Sequence, residues 1–407
     1  MILRARIVLP IEGAPIEDGA VAVAGNTISA VGRFADVRAA SGGDVIDLGE
    51  RVLMPGLVNA HCHLDYSMLR RAIQTQRSFT EWIRRINAIK RSLGPDDYRY
   101  AIARGFAELR RWGTTTVANI ESFPELLPEM GPPPLRTWWF LEMIDLRNVV
   151  PSEDFVAGTL AFFESRADWL GGFGLSPHAP YTASGPLYEL VSEVAEKLHM
   201  PVMTHVAESR EEWEMFRHAR GELYEFMAKL DRWMHDCHRG LTPLRHVLNH
   251  TTRGPGWLLA HMNELDESDF VLLASLPRDR RPGIVHCPGS HRYFRHAPFP
   301  LAKLLELGLN VCLGTDSLAS TDSLSLFDEM RTLAWREPWL HPADILAMAT
   351  RNGARALGID AGKIVPGALA DLIAMPVTGS LAEIHADVLA CREPAAWMML
   401  DGKILHD

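Results

Sequence analysis

Residues 54–65 read Met-Pro-Gly-Leu-Val-Asn-Ala-His-Cys-His-Leu-Asp, a short apolar run that ends in His-x-His. Side chains of a β-strand alternate between its two faces, so His61 and His63 project from the same side of the strand end. Two imidazoles held side by side at a strand end form half of a metal site. The stretch therefore predicts a strand that delivers two metal ligands, and the rest of the chain has to supply the others.

The composition is that of an ordinary globular protein. The 407 residues are 47% hydrophobic and 23% charged, with a formal net charge of -10, and no basic run suited to nucleic acid or an anionic membrane occurs. The five cysteines are widely spaced and form no CxxC pair, which indicates reduced thiols. The N-terminal segment has the pattern of neither a signal peptide nor a spanning helix. We therefore expect a cytoplasmic protein that binds neither nucleic acid nor membrane.

Both ends of the chain are rich in short strands and turn residues. Near the N-terminus, the runs 20–23 and 27–31 are separated by Gly25-Asn26, which predicts a hairpin. The C-terminal stretch has the same character. We predict a small β-sandwich domain that is built from residues 1–54 and 363–407.

The middle of the chain alternates apolar runs with amphipathic segments. The eight apolar runs are 57–61, 115–120, 136–142, 172–176, 202–205, 257–261, 283–287 and 310–314. Continuous apolar strands that alternate with helices indicate a parallel sheet, and eight such units fit a (β/α)8 barrel. An open doubly wound sheet is the alternative, but no glycine-rich dinucleotide loop follows the first run. We predict an α/β protein with a (β/α)8 TIM-type barrel over residues 55–362.

One segment, residues 209–250, exceeds what a minimal barrel needs. It is long, charged and aromatic, and it follows the fifth apolar run. We predict a helical insertion over the barrel mouth, where loops carry function. The sequence leaves open whether this insertion is a substrate lid or an interface. Four histidines in it are expected to face solvent: His235, His238, His246 and His250.

Several predicted strands end in a residue that can bind a metal. The fifth strand ends at His205, three residues before Glu208; the sixth ends at His261, and Asp316 follows the eighth. The carboxyl ends of barrel strands meet at one rim, where barrel enzymes place their active sites. A single strand-end histidine is usually structural, but joint occurrence on four strands argues for a site. The expected metal ligands are His61, His63, His205 and Asp316.

Three of these side chains have an expected catalytic role. Asp316 can take a proton from water bound at the ion, and His261 can hydrogen-bond that water. Glu208 is placed to move protons rather than to bind the ion. A divalent ion lowers the pKa of bound water from about 15.7 toward 7. The predicted cofactor is one divalent metal ion, with zinc first and iron or manganese as alternatives.

The set of motifs resembles the amidohydrolase superfamily over nearly the whole chain. The matching stretches are 55–63, His205-Val-Ala-Glu208, 313–317 and 366–373. The resemblance implies hydrolytic deamination of a ring-bound amine, in which Glu208 shuttles protons. Superfamily members with two metals carry a bridging lysine or glutamate at the fourth strand. Here that strand ends Leu175-Ser-Pro-His178, which implies a single metal.

The same strand-four motif is similar to that of nucleoside deaminases acting on S-adenosylhomocysteine and methylthioadenosine. In those enzymes the histidine contacts the substrate, which implies this role for His178. Where they place a ribose-binding glutamate, this chain has Arg91. A guanine deaminase and a triazine-type hydrolase are alternatives with the same metal core. A non-catalytic scaffold is a remote alternative, because such relatives typically lose metal ligands.

A closer resemblance is to the aminodeoxyfutalosine deaminases of the alternative menaquinone pathway, through residues 63–67, 78–83 and 286–294. It implies 6-amino-6-deoxyfutalosine, an adenine nucleoside that carries a benzoate, as the substrate, with Trp82 and Ser290 as substrate contacts. A cation would suit the carboxylate. The candidates are Arg84, Arg85 and Arg292. The expected partners are a small heterocyclic molecule and water, with a homodimer as the default oligomer.

Overall fold

Two β-sheets organise the protein, as shown by a computed structural model that describes residues 1–146, 157–158, 161–162, 165–166, 168–237, 240–251, 256–376 and 379–406. The first five strands are β1 (Ile2–Val8), β2 (Ile16–Ala24), β3 (Thr27–Arg33), β4 (Val45–Asp47) and β5 (Val52–Pro55). The middle strands are β6 (Leu57–His63), β7 (Thr114–Glu121), β8 (Arg136–Met143), β9 (Gly171–Pro177), β10 (Val202–Val206), β11 (Trp257–His261), β12 (Gly283–His286), β13 (Asn310–Leu313) and β14 (Asp316–Ser317). The last strands are β15 (Leu372–Met375), β16 (Trp397–Leu400) and β17 (Lys403–Ile404).

Helices fill most of the connections. The α-helices before the insertion are α1 (Phe34–Ala40), α2 (Phe79–Lys90), α3 (Pro95–Arg111) and α4 (Gly185–Leu198). Those within the insertion are α5 (Arg210–His218), α6 (Glu222–Lys229) and α7 (Pro243–Asn249). The later ones are α8 (Glu267–Ser275), α9 (Pro288–Phe294), α10 (Leu301–Glu306), α11 (Leu326–Arg336), α12 (Pro342–Met348), α13 (Arg351–Ala356) and α14 (Ile384–Ala390). Among the helices described, none has the length and apolar character needed to cross a bilayer.

The barrel prediction is confirmed. Strands β6 to β13 pair in parallel with their neighbours in chain order, and β14 pairs with β6 to complete the ring. Gly314 stands between β13 and β14, and a Cβ atom there would lie 2.8 Å from the Cβ atom of His61. Glycine therefore lets the eighth strand approach the first closely enough for the Thr315 amide to donate to the His61 carbonyl at 3.0 Å.

The barrel interior is filled by side chains from most of its strands. One buried cluster includes Val58, Ala118, Phe140, Met203, Leu258, Val285 and Cys312. Because side chains two residues apart in a strand share a face, Glu142 follows Phe140 and His205 follows Met203 on the inner face. The apolar packing below thus orients the polar side chains at the carboxyl-terminal rim.

The second sheet draws strands from both ends of the chain. Its order is β17-β16-β15-β5-β1-β2-β3, and β4 also pairs with β1. Leu3, Leu53, Leu372 and Met399 belong to one buried cluster, so the two termini share a hydrophobic core. The limits 1–54 and 363–407 for a separate domain stay a prediction.

Three helices lie in the described part of the insertion, and the first of them contacts the segment that follows the first barrel strand. The Glu211 carboxylate accepts from the backbone amides of Phe79 at 2.6 Å and Thr80 at 3.1 Å, at the N-terminus of α2. A carboxylate at this end of a helix is favoured by the helix dipole.

The expectation that the insertion's histidines face solvent is wrong for one of them. His246 is buried at 1% exposure, because α7 packs its ring beside Phe216 and Tyr188. His235 is exposed and His250 is half-buried, whereas His238 lies outside the described residues.

Candidate active site

Four side chains from three segments that lie far apart in the chain meet at the carboxyl-terminal rim of the barrel. The Nε2 atoms of His63 and His205 lie 3.1 Å apart. Asp316 Oδ1 lies 3.7 Å from His61 Nε2 and 3.8 Å from His63 Nε2. All four side chains are buried. The structure therefore brings together the four residues that the sequence predicts as metal ligands.

Two further predicted residues join this cluster. His261, at the end of β11, offers a ring nitrogen within 4.8 Å of ligand atoms of His61 and His205. The His261 Nε2 atom lies 3.8 Å from Glu208 Oε1. Both side chains are buried, so the proton-carrying group expected from the sequence faces the same small space as the ligand set.

The donor set fits a divalent cation. The Nε2 atoms of His61 and His261 are buried without a hydrogen-bond partner, which is costly unless a cation or ligand satisfies them. The His205 Nδ1–H group donates to the His178 carbonyl at 2.8 Å, so that its Nε2 lone pair points into the cluster. Burial lowers the pKa of His63 to about 3, and that of His261 likewise, so both rings are neutral and able to bind a cation.

Unusual backbone conformations occur at two of the strand ends. His261 has a φ of 74° and Asp316 a φ of 58°, both in the left-handed region. For residues with a Cβ atom this region costs about 1–2 kcal/mol each. Strain of this kind is concentrated where a side chain must be aimed at a ligand, and here it aims both residues at the cluster.

The two carboxyl groups of the cluster have opposite environments. Burial raises the pKa of Glu208 well above its ordinary value, and the charges of Asp316 and Glu212 raise it further. Burial also opposes ionisation of Asp316, but the neighbouring imidazoles of His61 and His261 lower its pKa well below the ordinary value. The surroundings therefore favour the protonated form of Glu208 and the ionised form of Asp316, which is the arrangement that separates a proton donor from an acceptor.

A cleft of about 270 Å³ opens above the cluster. Its polar lining residues are His63, Asn87, Lys90, Glu142, His178, Thr182, His205, Glu208, His261, Asp316 and Ser317. Its aromatic and aliphatic lining comes largely from α2 and the insertion: Phe79, Trp82, Ile83, Ile86, Phe226, Met227 and Leu230. The insertion thus forms part of the cleft wall.

The three predicted substrate contacts are placed differently. Trp82 and His178 both line the cleft, and the Trp82 indole N–H donates to the Ala319 carbonyl at 3.3 Å. Ser290 is buried at 1% exposure in α9 and is not among the described residues that line the cleft. Helix α9 packs against α11 instead, where the Gly289 amide donates to the Glu329 carboxylate at 2.5 Å.

Comparison with known proteins identifies the family. Residues 52–404 match the Amidohydrolase family. The chain is a member of the amidohydrolase family. It is therefore a hydrolytic enzyme that acts on C–N bonds.

Individual relatives and structures are similar to this amidohydrolase over most of their length. The 5-methylthioadenosine/S-adenosylhomocysteine deaminase of Pyrococcus furiosus is 32% identical over 372 residues, covering 88% of this chain and 80% of the relative. The zinc-bound structure of an adenosine deaminase from Xanthomonas campestris matches with a TM-score of 0.82 at 28% identity, over 99% of this chain and 92% of that one. The Helicobacter pylori aminofutalosine deaminase structure has a TM-score of 0.84 at 22% identity, over 100% of both chains, and shares the fold.

Glu142 and Lys90 are among the cleft residues of this amidohydrolase that the sequence patterns did not indicate. Glu142 is the last residue of the predicted third strand. Its position at a strand end could have predicted a place at the rim, as it did for the histidines. Lys90 lies four residues after Ile86 and eight after Trp82, so helical spacing places all three on one face of α2. Lys90 is the one lysine or arginine among the described lining residues, whereas Arg84, Arg85 and Arg292 are exposed and outside it.

Proposed function

We propose that this amidohydrolase is a metal-dependent hydrolytic deaminase of an adenine-type nucleoside. The observation that carries the proposal is the position of Glu208, a buried carboxyl group 3.8 Å from His261 and facing the same cluster as Asp316. Deamination of a purine ring needs a proton donor, a proton acceptor and a polarised water within one small site, and these side chains fit that need.

The metal would be held by His61, His63, His205 and Asp316. The buried, unpartnered Nε2 atom of His61 and the pKa of His63, which burial lowers, support this assignment. When bound, a divalent ion activates water for attack at neutral pH. We propose zinc, in agreement with the zinc-bound adenosine deaminase structure, and a single ion, because β9 ends in Ser176-Pro177 and supplies no bridging lysine or glutamate.

The protein's own residues divide the proton transfers. Asp316 accepts a proton from the attacking water, and His261 holds that water by a hydrogen bond. Glu208 gives its proton to the ring nitrogen next to the amine-bearing carbon. It then takes the second proton of the added water, from the new hydroxyl group on that carbon, and passes it to the departing nitrogen. The proton held by Asp316 finally returns to Glu208, which restores both carboxyl groups. The carbon–oxygen bond forms, the carbon–nitrogen bond breaks, and ammonia leaves the 6-oxo product.

The cleft wall supports a nucleoside with an apolar group. Phe79 and Trp82 lie nearly parallel, with ring centroids 5.9 Å apart, and Phe226 faces the cleft from the insertion. The named activities of the relatives, on methylthioadenosine and S-adenosylhomocysteine, support an adenine nucleoside. Within that class we propose 6-amino-6-deoxyfutalosine, since aromatic walls suit its benzoate ring and the Lys90 ammonium suits its carboxylate.

Ammonia release from a panel of compounds tests both the proposed reaction, deamination of an adenine nucleoside, and the proposed substrate. The zinc-loaded protein should deaminate one or more of adenosine, methylthioadenosine, S-adenosylhomocysteine and 6-amino-6-deoxyfutalosine, with the last preferred. Preference for another nucleoside would overturn the specific substrate alone. Release from guanine or melamine, with none from any adenine nucleoside, would overturn the proposed function.

A further inference from the structure

One polar chain in the cleft wall has no part in the proton transfers proposed above. The Lys90 ammonium donates to the Tyr66 hydroxyl, which lies 3.2 Å from the Ser122 hydroxyl. Ser122 in turn donates to Glu142 Oε2 at 2.7 Å. Because an ammonium group can only donate, the Tyr66 proton is free to be given to Ser122, and every hydrogen in the chain points toward Glu142.

This directional chain leaves one carboxylate oxygen available. Glu142 Oε2 accepts from Ser122, while Oε1 faces the ring of His178, with 3.9 Å between Oε1 and Nε2. That separation is too long for a hydrogen bond. The Glu142 side chain is 9% exposed and that of His178 is 22% exposed, and both line the cleft.

The Nε2 atom of His178, which faces Glu142, is also a hydrogen-bond acceptor. Thr182 donates its hydroxyl proton to the Ala179 carbonyl at 3.2 Å, so its oxygen accepts from His178 Nδ1 at 2.6 Å. With the ring proton on Nδ1, the Nε2 atom presents a lone pair to the cleft. Two acceptors, Glu142 Oε1 and His178 Nε2, therefore face each other without a donor between them.

We infer that Glu142 and His178 together bind the adjacent ribose hydroxyls of the substrate, each acceptor taking one O–H donor. The inference rests on the proposed nucleoside substrate and names the contact that selects a ribonucleoside over its deoxy analogues. Lys90, Tyr66 and Ser122 are positioning residues that hold Glu142 in the accepting orientation.

The test compares nucleosides that differ only in their hydroxyls, using the zinc-loaded protein. For wild type, kcat/KM should be higher for adenosine than for 2′,3′-dideoxyadenosine by about tenfold or more. Glu142→Gln keeps the size of the side chain but weakens one of the two acceptors, so it should reduce this ratio severalfold, chiefly through KM for adenosine, and leave the part that His178 contributes. Glu125→Gln, on the exposed surface nearby, is the matched control and should keep the wild-type ratio.

Variants of Ser122 test whether it positions Glu142. Ser122→Ala should lower the adenosine preference, and Ser122→Thr should restore it because the hydroxyl returns. An unchanged preference in Ser122→Ala would remove the positioning role. An unchanged preference in Glu142→Gln, or an equal loss on both nucleosides, would overturn the inference.

Binding measured without turnover separates this inference from the proposed function. Calorimetry should show that wild type binds inosine more tightly than 2′,3′-dideoxyinosine, and that this difference is smaller in Glu142→Gln. Binding that depends on the two ribose hydroxyls, without ammonia release from any nucleoside, would contradict the deaminase proposal but not this inference. Equal affinity of the wild type for inosine and 2′,3′-dideoxyinosine would contradict the inference.

Discussion

The Nε2 atoms of His63 and His205 lie 3.1 Å apart although 142 positions separate the two residues in the chain. The His205 ring is already anchored through Nδ1 to the His178 carbonyl, so its Nε2 atom is left to face His63. Burial lowers the pKa of both rings, and two neutral imidazoles whose nitrogens face each other in this way suit a cation better than a packing contact.

Removal of the ion should therefore abolish activity and lower stability. Chelation should release one equivalent of metal and lower the melting temperature, and zinc should restore both. A ligand at 100 times its Kd stabilises the folded state by about 2.7 kcal/mol. His205→Ala should retain less than one equivalent in elemental analysis. His235→Ala, on the surface, should bind metal as wild type does, and full metal content in His205→Ala would contradict the assigned ligand set.

Glu208→Gln should separate proton transfer from metal binding. The amide keeps the shape of the side chain but cannot carry a proton, so kcat should fall by about 10²–10⁴-fold with metal content unchanged. Steady-state kinetics beside elemental analysis measure the two effects. Glu193→Gln on the exposed face of α4 is the control. Loss of metal in parallel with kcat would assign Glu208 to the ligand set instead.

The barrel and the terminal sheet are joined by a buried ion pair whose loss should destabilise the protein. Arg136 donates to Asp371 at 2.8 Å and 3.2 Å, and the side chains are 9% and 1% exposed. Arg136→Met leaves a buried carboxylate without its cation, which should lower the free energy of unfolding by about 3–5 kcal/mol. Denaturant titration measures this. The exposed pair Arg71–Asp322 is the control, and Arg71→Met should leave the midpoint almost unchanged.

A buried acid far from the ion site should give stability an unusual pH dependence. Burial raises the pKa of Asp269 in α8 to about 6, whereas an unfolded aspartate titrates near pH ~3.9. The folded protein keeps this proton to a higher pH than the unfolded chain does. The contribution of Asp269 to the free energy of unfolding is therefore present below about pH 4 and lost as pH rises to about 6.

Unfolding titrations at several pH values check this sign. The free energy of unfolding of wild type, relative to Asp269→Asn, should fall between about pH 4 and about pH 6. Asp279→Asn, on the exposed surface, should follow wild type. A difference that grows with pH would show that Asp269 is ionised in the folded protein.

The order of the barrel strands and the clustering of the proposed metal ligands could be predicted from the sequence. Alternation of apolar runs with amphipathic segments is a local property, and His61 and His63 share a strand face through a period of two residues. Asp316 was found in the same way, from its place at a strand end. The curled sheet then brings such ends together, because the carboxyl ends of parallel strands must share one rim.

The errors concern side chains whose surroundings come from distant segments. His246 was expected in solvent, but its helix turns it toward Phe216. Ser290 was expected in the cleft, but the short helix after β12 is held against α11 by the Gly289–Glu329 contact. Helical periodicity does not say which neighbour will cover a given face.

The sequence by itself determined the local periodicities, and with them the strands, the rim and the residues able to bind a metal. The tertiary structure alone decided that Lys90 and Glu142 lie in the same cleft, joined through Tyr66 and Ser122. A hydrogen-bond chain depends on distances between atoms of separate elements, and those distances follow from how the barrel packs rather than from any spacing along the chain.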